Sequence, residues 1–176
     1  AGGGTLAYIR EGKLVEGLKA PRTGIRQILF DRGRNRFLIL SDGHIDCFVP
    51  GGGCRQVFEG ESLTSLELTN NNTIVVVGTQ DGYIELDAGS FRRRSGILQK
   101  LPCTDIRCVR QIGKSVWLGT PKGAFALQPD GRIDYYASKR WLASDDVIDI
   151  SKGPGNSVLI LSRDGLSIIG FKTMTL

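Results

Sequence analysis

The feature that most constrains this chain is one stretch of sequence written four times. Each copy is an apolar, β-rich run, a turn that ends in glycine, and a second apolar run: RFLILSDGHIDCFV (36–49), TIVVVGTQDGYIELD (73–87), SVWLGTPKGAFALQ (115–128) and SVLILSRDGLSIIGF (157–171). The turn glycines are Gly43, Gly82, Gly123 and Gly165, at steps of 39, 41 and 42 residues. A period of about 40–45 residues built only of short strands is the pattern of a β-propeller blade. No segment carries the 3.6-residue periodicity of an amphipathic helix, so the expected class is all-β.

Within a repeat, turn residues divide the sequence into four short segments. The first repeat gives 24–30, 36–40, 44–49 and 54–60. The second gives 62–68, 73–79, 83–87 and 90–96, and the third 105–112, 115–120, 124–128 and 132–138. The fourth gives 146–151, 157–162 and 166–171, followed only by KTMTL. The second segment is nearly all apolar, as a strand covered on both faces must be. The fourth is polar, as an exposed outer edge should be. That gradient suits a propeller of four-stranded antiparallel blades better than an open sandwich. Asp42-Gly43, Asp81-Gly82 and Asp164-Gly165 supply the positive φ of tight hairpins.

Ahead of the first repeat, TLAYIR (5–10) and KLVEGL (13–18) fit the two outer strands of another blade, with Gly4 in phase with Gly43. The expected division is outer strands of a partial blade at 1–20, blades at 21–60, 61–100 and 101–140, and a blade without a clear outer strand at 141–176. The two ends together offer five strands where one blade needs four. The repeat therefore describes about four blades of a six- to eight-bladed ring, with a strained four-bladed closure as the alternative.

Composition narrows the function classes. The net charge is +5. Its basic residues are scattered apart from Arg92-Arg93-Arg94 and a looser group at Arg32, Arg34 and Arg36, and no aromatics are interleaved with them. Solvated surface charge is the expected role, and nucleic-acid binding is not indicated. No apolar run is long enough to span a membrane, and the first residues show no signal-peptide pattern.

Cys47, Cys54, Cys103 and Cys108 lack CxxC spacing, and the chain has a single histidine, so no metal site is expected. A hairpin around PGGG (50–53) would set Cys47 opposite Gln56, leaving buried free thiols. No cofactor motif is present, and PKG and GGG are turns, since no GxxxxGK[ST] occurs. A catalytic relay would depend on His44, which reads as a turn-edge residue, and no GxSxG surrounds any serine. Asp145-Asp146 and Thr104-Asp105 recur at equivalent places, which suggests side chains that accept backbone N–H groups where a strand begins.

SVWLGTPKGAFALQPDGRIDYY (115–136) resembles the repeat of the two-component regulator propellers, with its Trp, Gly-Thr and turn glycine. LPCTDI (101–106) and LASDDV (142–147) are similar to that family's linker between blades. Weaker likenesses are to WD40-like propellers and, over 38–43, to citron-homology propellers. The resemblance implies a non-catalytic sensor or recognition propeller, often extracytoplasmic, that binds a glycan, small ligand or protein on one face. Other readings are a scaffold propeller for protein assembly and the propeller portion of a carbohydrate-active enzyme.

In propellers the second-to-third turns and the inter-blade loops lie on the same face. The residues expected there are His44, Asp81, Lys122 and Arg163 from turns, with Thr104, Trp141 and Asp145 from loops. Trp117, in a second strand, is expected in the core.

Overall fold

The computed structural model describes residues 5–19, 23–69, 71–94, 98 and 101–171. Gly4 and the KTMTL tail lie outside them. The chain forms two compact units, Ala1–Leu63 and Thr64–Leu176.

The N-terminal unit holds a two-stranded hairpin of β1 (Thr5–Arg10) and β2 (Lys13–Lys19). It also holds an antiparallel sheet ordered β3 (Gln27–Asp31), β4 (Arg36–Ser41), β5 (His44–Val49) and β6 (Gly53–Glu59). β4 and β5 are almost wholly buried, whereas β6 is mostly exposed. A bulge between Ile45 and Asp46 shifts the register. It places Cys47 opposite Arg55 and Asp46 opposite Gln56, correcting the expected pairing by one residue.

Arg36 also departs from expectation. Instead of projecting into solvent it is 7% exposed, and its Nε lies 2.9 Å from the fully buried Asp31 carboxylate, which Arg34 approaches at 3.3 Å. Asp31 and Arg36 face each other across the end of the hairpin, so the buried charge of each is met by the other.

The C-terminal unit contains three sheets. The first is ordered β7 (Leu63–Leu68), β8 (Ile74–Thr79) and β9 (Gly82–Asp87). The second is β10 (Cys108–Ile112), β11 (Ser115–Thr120), β12 (Gly123–Leu127) and β13 (Ile133–Tyr136). The third is β14 (Val147–Lys152), β15 (Ser157–Ser162) and β16 (Gly165–Gly170). All pairings described are antiparallel between consecutive strands. Each sheet is thus a meander, four-stranded where the outer strand forms.

The outer strand expected at 90–96 does not form as a strand among the described residues. Asp87 Oδ1 accepts the amides of Gly89 at 3.1 Å and Ser90 at 2.8 Å, and the Ser90 hydroxyl at 2.9 Å. These bonds hold the carboxylate well below its usual pKa range, and they spend amides that a ladder would otherwise use. Pairing resumes as single bridges, Leu86 with Arg93 and Tyr83 with Leu98.

Turn chemistry repeats with the sheets. Thr79 Oγ1 donates to Gly82 O at 3.0 Å and accepts Asp81 N at 3.1 Å. Thr120 makes the same pair with Gly123 O at 2.8 Å and Lys122 N at 3.1 Å. Ser162 Oγ donates to Gly165 O at 3.1 Å. In the three sheets of the C-terminal unit a hydroxyl in the last position of the second strand therefore ties the hairpin turn.

Within the C-terminal unit, apolar clusters of the described residues fill the spaces between neighbouring sheets. One sets Val76 and Tyr83 against Ile106, Val109, Leu118 and Phe125. Another sets Trp117, Ala124 and Ala126 against Val147, Ile150 and Val158.

Candidate functional site: a turn-and-loop face

Inter-sheet loops in the C-terminal unit run beside the second-to-third hairpin turns, and backbone bonds fix them there. Ile106 N donates to Thr79 O at 2.9 Å, which holds loop 101–107 against the turn that carries Asp81. Gly123 N donates to Asp145 O at 2.7 Å, which holds loop 137–146 against the turn that carries Lys122. Arg163 N donates to Asp146 O at 2.9 Å. The structure thus sets Asp81 beside the loop of Thr104, Lys122 beside Asp145, and Arg163 beside Asp146.

The side chains divide into two groups. Asp146 is a hub: its Oδ2 lies 2.8 Å from Arg163 Nη2, its Oδ1 is held by Arg107, and Arg107 also approaches Asp105 at 3.8 Å. Of the acidic residues expected to accept backbone amides, Asp145 does so, taking Ser138 N on Oδ1. Asp105 and Asp146 meet arginines instead. Thr104 is half-buried, and Asp81 and Lys122 are exposed.

Aromatic rings give the face its floor. Tyr135, 50% exposed, stacks on Phe125 at 4.8 Å, and its hydroxyl donates to Lys122 O at 2.6 Å. Partial burial, with Asp145 and Cys103 nearby, raises its pKa. Trp141 is 44% exposed, with the Arg140 guanidinium 4.7 Å over its ring and Tyr136 edge-on at 6.0 Å. Behind it, buried Trp117 lies 5.1 Å from Tyr136. A ring ladder therefore runs from the core to the surface through Trp117, Tyr136 and Trp141. Tyr135 and Tyr136 were not anticipated as members of this site, although YY at 135–136 was visible on the outer strand.

His44 belongs to the N-terminal unit. It is half-buried, its Nδ1 is 2.7 Å from Asp42 O and its Nε2 is 3.9 Å from Glu59 Oε1. Arg92, Arg93 and Arg94 are exposed beside β9, where Asp87 N donates to Arg92 O and Arg94 N to Glu85 O. All four cysteines are free thiols, Cys47 and Cys108 buried. Burial pushes the Cys108 thiol up to about 11, which leaves it protonated and unreactive. Among the described residues no three His, Cys, Asp or Glu side chains gather as a metal cluster, and no helix is long and apolar enough to cross a membrane.

Two further features lay beyond sequence reading. A cleft of about 540 Å³ opens at the opposite ends of the strands, with Ile74, Val116, Leu127 and Ile133 as apolar walls and Lys114 and Arg132 at its rim. The second is a charge row on neighbouring first strands. Arg110 Nη2 lies 2.7 Å from Asp149 Oδ1, and Arg110 also attracts Glu67. Burial nevertheless outweighs that attraction and pushes Glu67 from 4.5 up to about 7.

The folded protein therefore holds this proton more tightly than the unfolded chain does. The contribution of this group to stability is fully present below about pH 4.5 and is lost as pH rises through about 7. Glu67→Gln should raise stability by about 1 kcal/mol at pH 8, the shift being discounted for solvent screening, and change little at pH 4. Urea unfolding at the two pH values measures this.

The fold is that of a β-propeller. Among solved structures the chain is similar to the extracellular domain of the putative one component system BT4673 from B. thetaiotaomicron, with TM-score 0.71 and 19% identity over 85% of this chain and 20% of that one. It is similar to the extracellular domain of the putative hybrid two component system BT3049 from B. thetaiotaomicron, with TM-score 0.70 and 16% identity over 86% and 24%. It is also similar to the WD40 β-propeller domain of Doa1, with TM-score 0.71 and 13% identity over 94% and 56%.

The sensor domains are of the kind that the repeat at 115–136 resembles, and the WD40 domain is of the kind to which the chain's likeness is weaker. At such identities the likeness carries the fold. The chain spans about a fifth of the BT4673 domain, and it is a partial propeller. No family model matches the chain, and no curated protein does.

Proposed function

We propose that this chain is part of a non-catalytic recognition propeller, the extracytoplasmic sensor portion of a signalling protein, and that the turn-and-loop face of its C-terminal unit binds a glycan or protein ligand. The observation that carries this reading is Trp141. It is an exposed ring held in one orientation by Arg140 and Tyr136, on a loop pinned beside the turn of Lys122. A large, rigid aromatic among cations is what binding hot spots are made of. Being packed from behind, it loses little conformational freedom when a ligand lands on it. The structural likeness to extracellular domains of two-component systems supports the sensor role and the extracytoplasmic location.

The test is a glycan-array screen and a pull-down with the purified chain, followed by titration of Trp141→Ala and Lys122→Ala. Trp141→Ala should weaken binding at least about tenfold, or 1.4 kcal/mol. Because part of the ring is covered by Arg140 and Tyr136, the unfolding midpoint should fall modestly while the protein stays folded at the assay temperature. A ligand held at full affinity by both variants places recognition elsewhere, with the cleft at Lys114 and Arg132 the next surface to substitute.

A further inference from the structure

On β15 and β16 one face is apolar and uncovered. Leu161 is 42% exposed, Leu166 57% and Ile168 63%, and Leu159 is half-buried. Leu161 pairs with Leu166 and Leu159 with Ile168, so the four side chains make one square patch on two adjacent strands. β15 reads as alternating, whereas β8 and β11 are almost continuously buried.

Aligned on the turn glycines, these four positions correspond to Trp117, Gly119, Ala124 and Ala126 in the preceding sheet, where Gly119 pairs with Ala124 and Trp117 with Ala126. That face is fully covered. Trp117 is 2% exposed and the two alanines 0%, and a Cβ on Gly119 would stand 2.8 Å from Val147 Cγ1 on the next sheet's first strand. One sheet earlier the same positions are Val76, Gly78, Tyr83 and Glu85. There a Cβ on Gly78 would meet Ile106 Cγ2 at 2.7 Å. Twice in this unit, then, the face is covered by the chain segment that opens the following repeat.

The outer edge follows the same rule. β12 pairs with β13, the outer strand of its sheet, whereas β16 pairs among the described residues with β15 alone.

We propose that the Leu159, Leu161, Leu166 and Ile168 face docks a further repeat of the same propeller: an outer strand hydrogen-bonded along β16, then an antiparallel sheet whose first strand lays small apolar side chains on the patch. The face continues, position by position, the interface already formed between the two preceding sheets. Docking there follows from the fold and is independent of the recognition reading. Four aliphatic side chains replace the Trp, Gly, Ala, Ala set, so the facing strand carries less bulk than Val147 and Ile150 do.

The experiment extends the chain directly after Phe171 with a second copy of residues 130–171 in which Val147→Ala and Ile150→Ala give the facing strand the smaller side chains that the patch leaves room for. Phe171 aligns with Pro129, so this supplies an outer strand for β16 and then a following sheet in phase. The extended protein should unfold at least about 5 °C higher, and the Leu166 and Ile168 amides should exchange at least about tenfold more slowly.

Leu166→Lys with Ile168→Lys in the first copy should abolish both gains while leaving the unextended chain's midpoint nearly unchanged. Unaltered exchange at β16, gains that survive the lysines, or an extended chain that fails to fold would each overturn the proposal. So would sedimentation of the unextended chain as a dimer that the two lysines dissolve, which assigns the face to a second copy.

Discussion

Trp117→Ala should lower the unfolding free energy by about 3–5 kcal/mol, the range for truncating a buried tryptophan. The side chain is 2% exposed on β11, lies between Arg110 and Ala126 in the pairing, and touches Tyr136 at 5.1 Å and Phe171 at 6.2 Å. Its neighbours across the inter-sheet core come from β14 and β15, whose positions are set by their own ladders. They cannot all move in to fill the space, so most of the cavity should persist.

The loss reaches the surface too, because Tyr136 is the support of Trp141. Guanidinium unfolding should show a lower midpoint with an unchanged slope, and the remaining Trp141 fluorescence should shift to longer wavelength in the folded state. Trp117→Phe, which keeps a ring against Tyr136, should recover more than half of the loss. A cost below about 1 kcal/mol for the alanine would mean that the two sheets collapse onto each other freely.

Trp117 shows why the fold was legible in the sequence and the ligand was not. Every recognisable residue of SVWLGTPKG has a packing or backbone task. Trp117 fills the space between sheets, Gly119 lets the next sheet approach, Thr120 ties the turn, and Gly123 takes φ +114° where a side chain is strained. A motif made of such constraints recurs in any propeller, whatever it binds. The turn positions that face solvent have no such packing task and vary more: Gln80, Pro121 and Arg163 occupy one position in successive sheets of the C-terminal unit, and Lys122 stands where the others have Asp81 and Asp164.

The features missed are of a different physical kind. The Asp146 hub joins Arg107, 39 residues away, to Arg163. The buried Asp31–Arg36 pair looks like ordinary surface charge in the sequence. The interrupted pairing just after β9 turns on one carboxylate that reaches two amides. Short-range patterning carries strands and turns, whereas charges that meet across repeats leave no periodic trace.

Gly119→Ala should be nearly as damaging as losing the tryptophan, although it adds a single methyl group. The new Cβ would lie 2.5 Å from Cys108 Sγ and 2.8 Å from Val147 Cγ1, with Ile150 Cδ1 at 3.5 Å. Cys108 is directly opposite Gly119 in the ladder, so it cannot withdraw without breaking the β10–β11 register, and Val147 is buried. Relief must come from shifting β14 away from the sheet it covers, at a cost of about 2–4 kcal/mol.

Because the clash has two named partners, the mechanism can be checked by a cycle. Cys108→Ala alone should cost about 1–2 kcal/mol, and the double variant Gly119→Ala with Cys108→Ala should be at least about 1 kcal/mol more stable than the sum of the two predicts. Strict additivity would show that the methyl group is accommodated without meeting the thiol. A coupling of the expected sign would establish that the glycine of the Gly-Thr pair marks the closest approach of one sheet to the next.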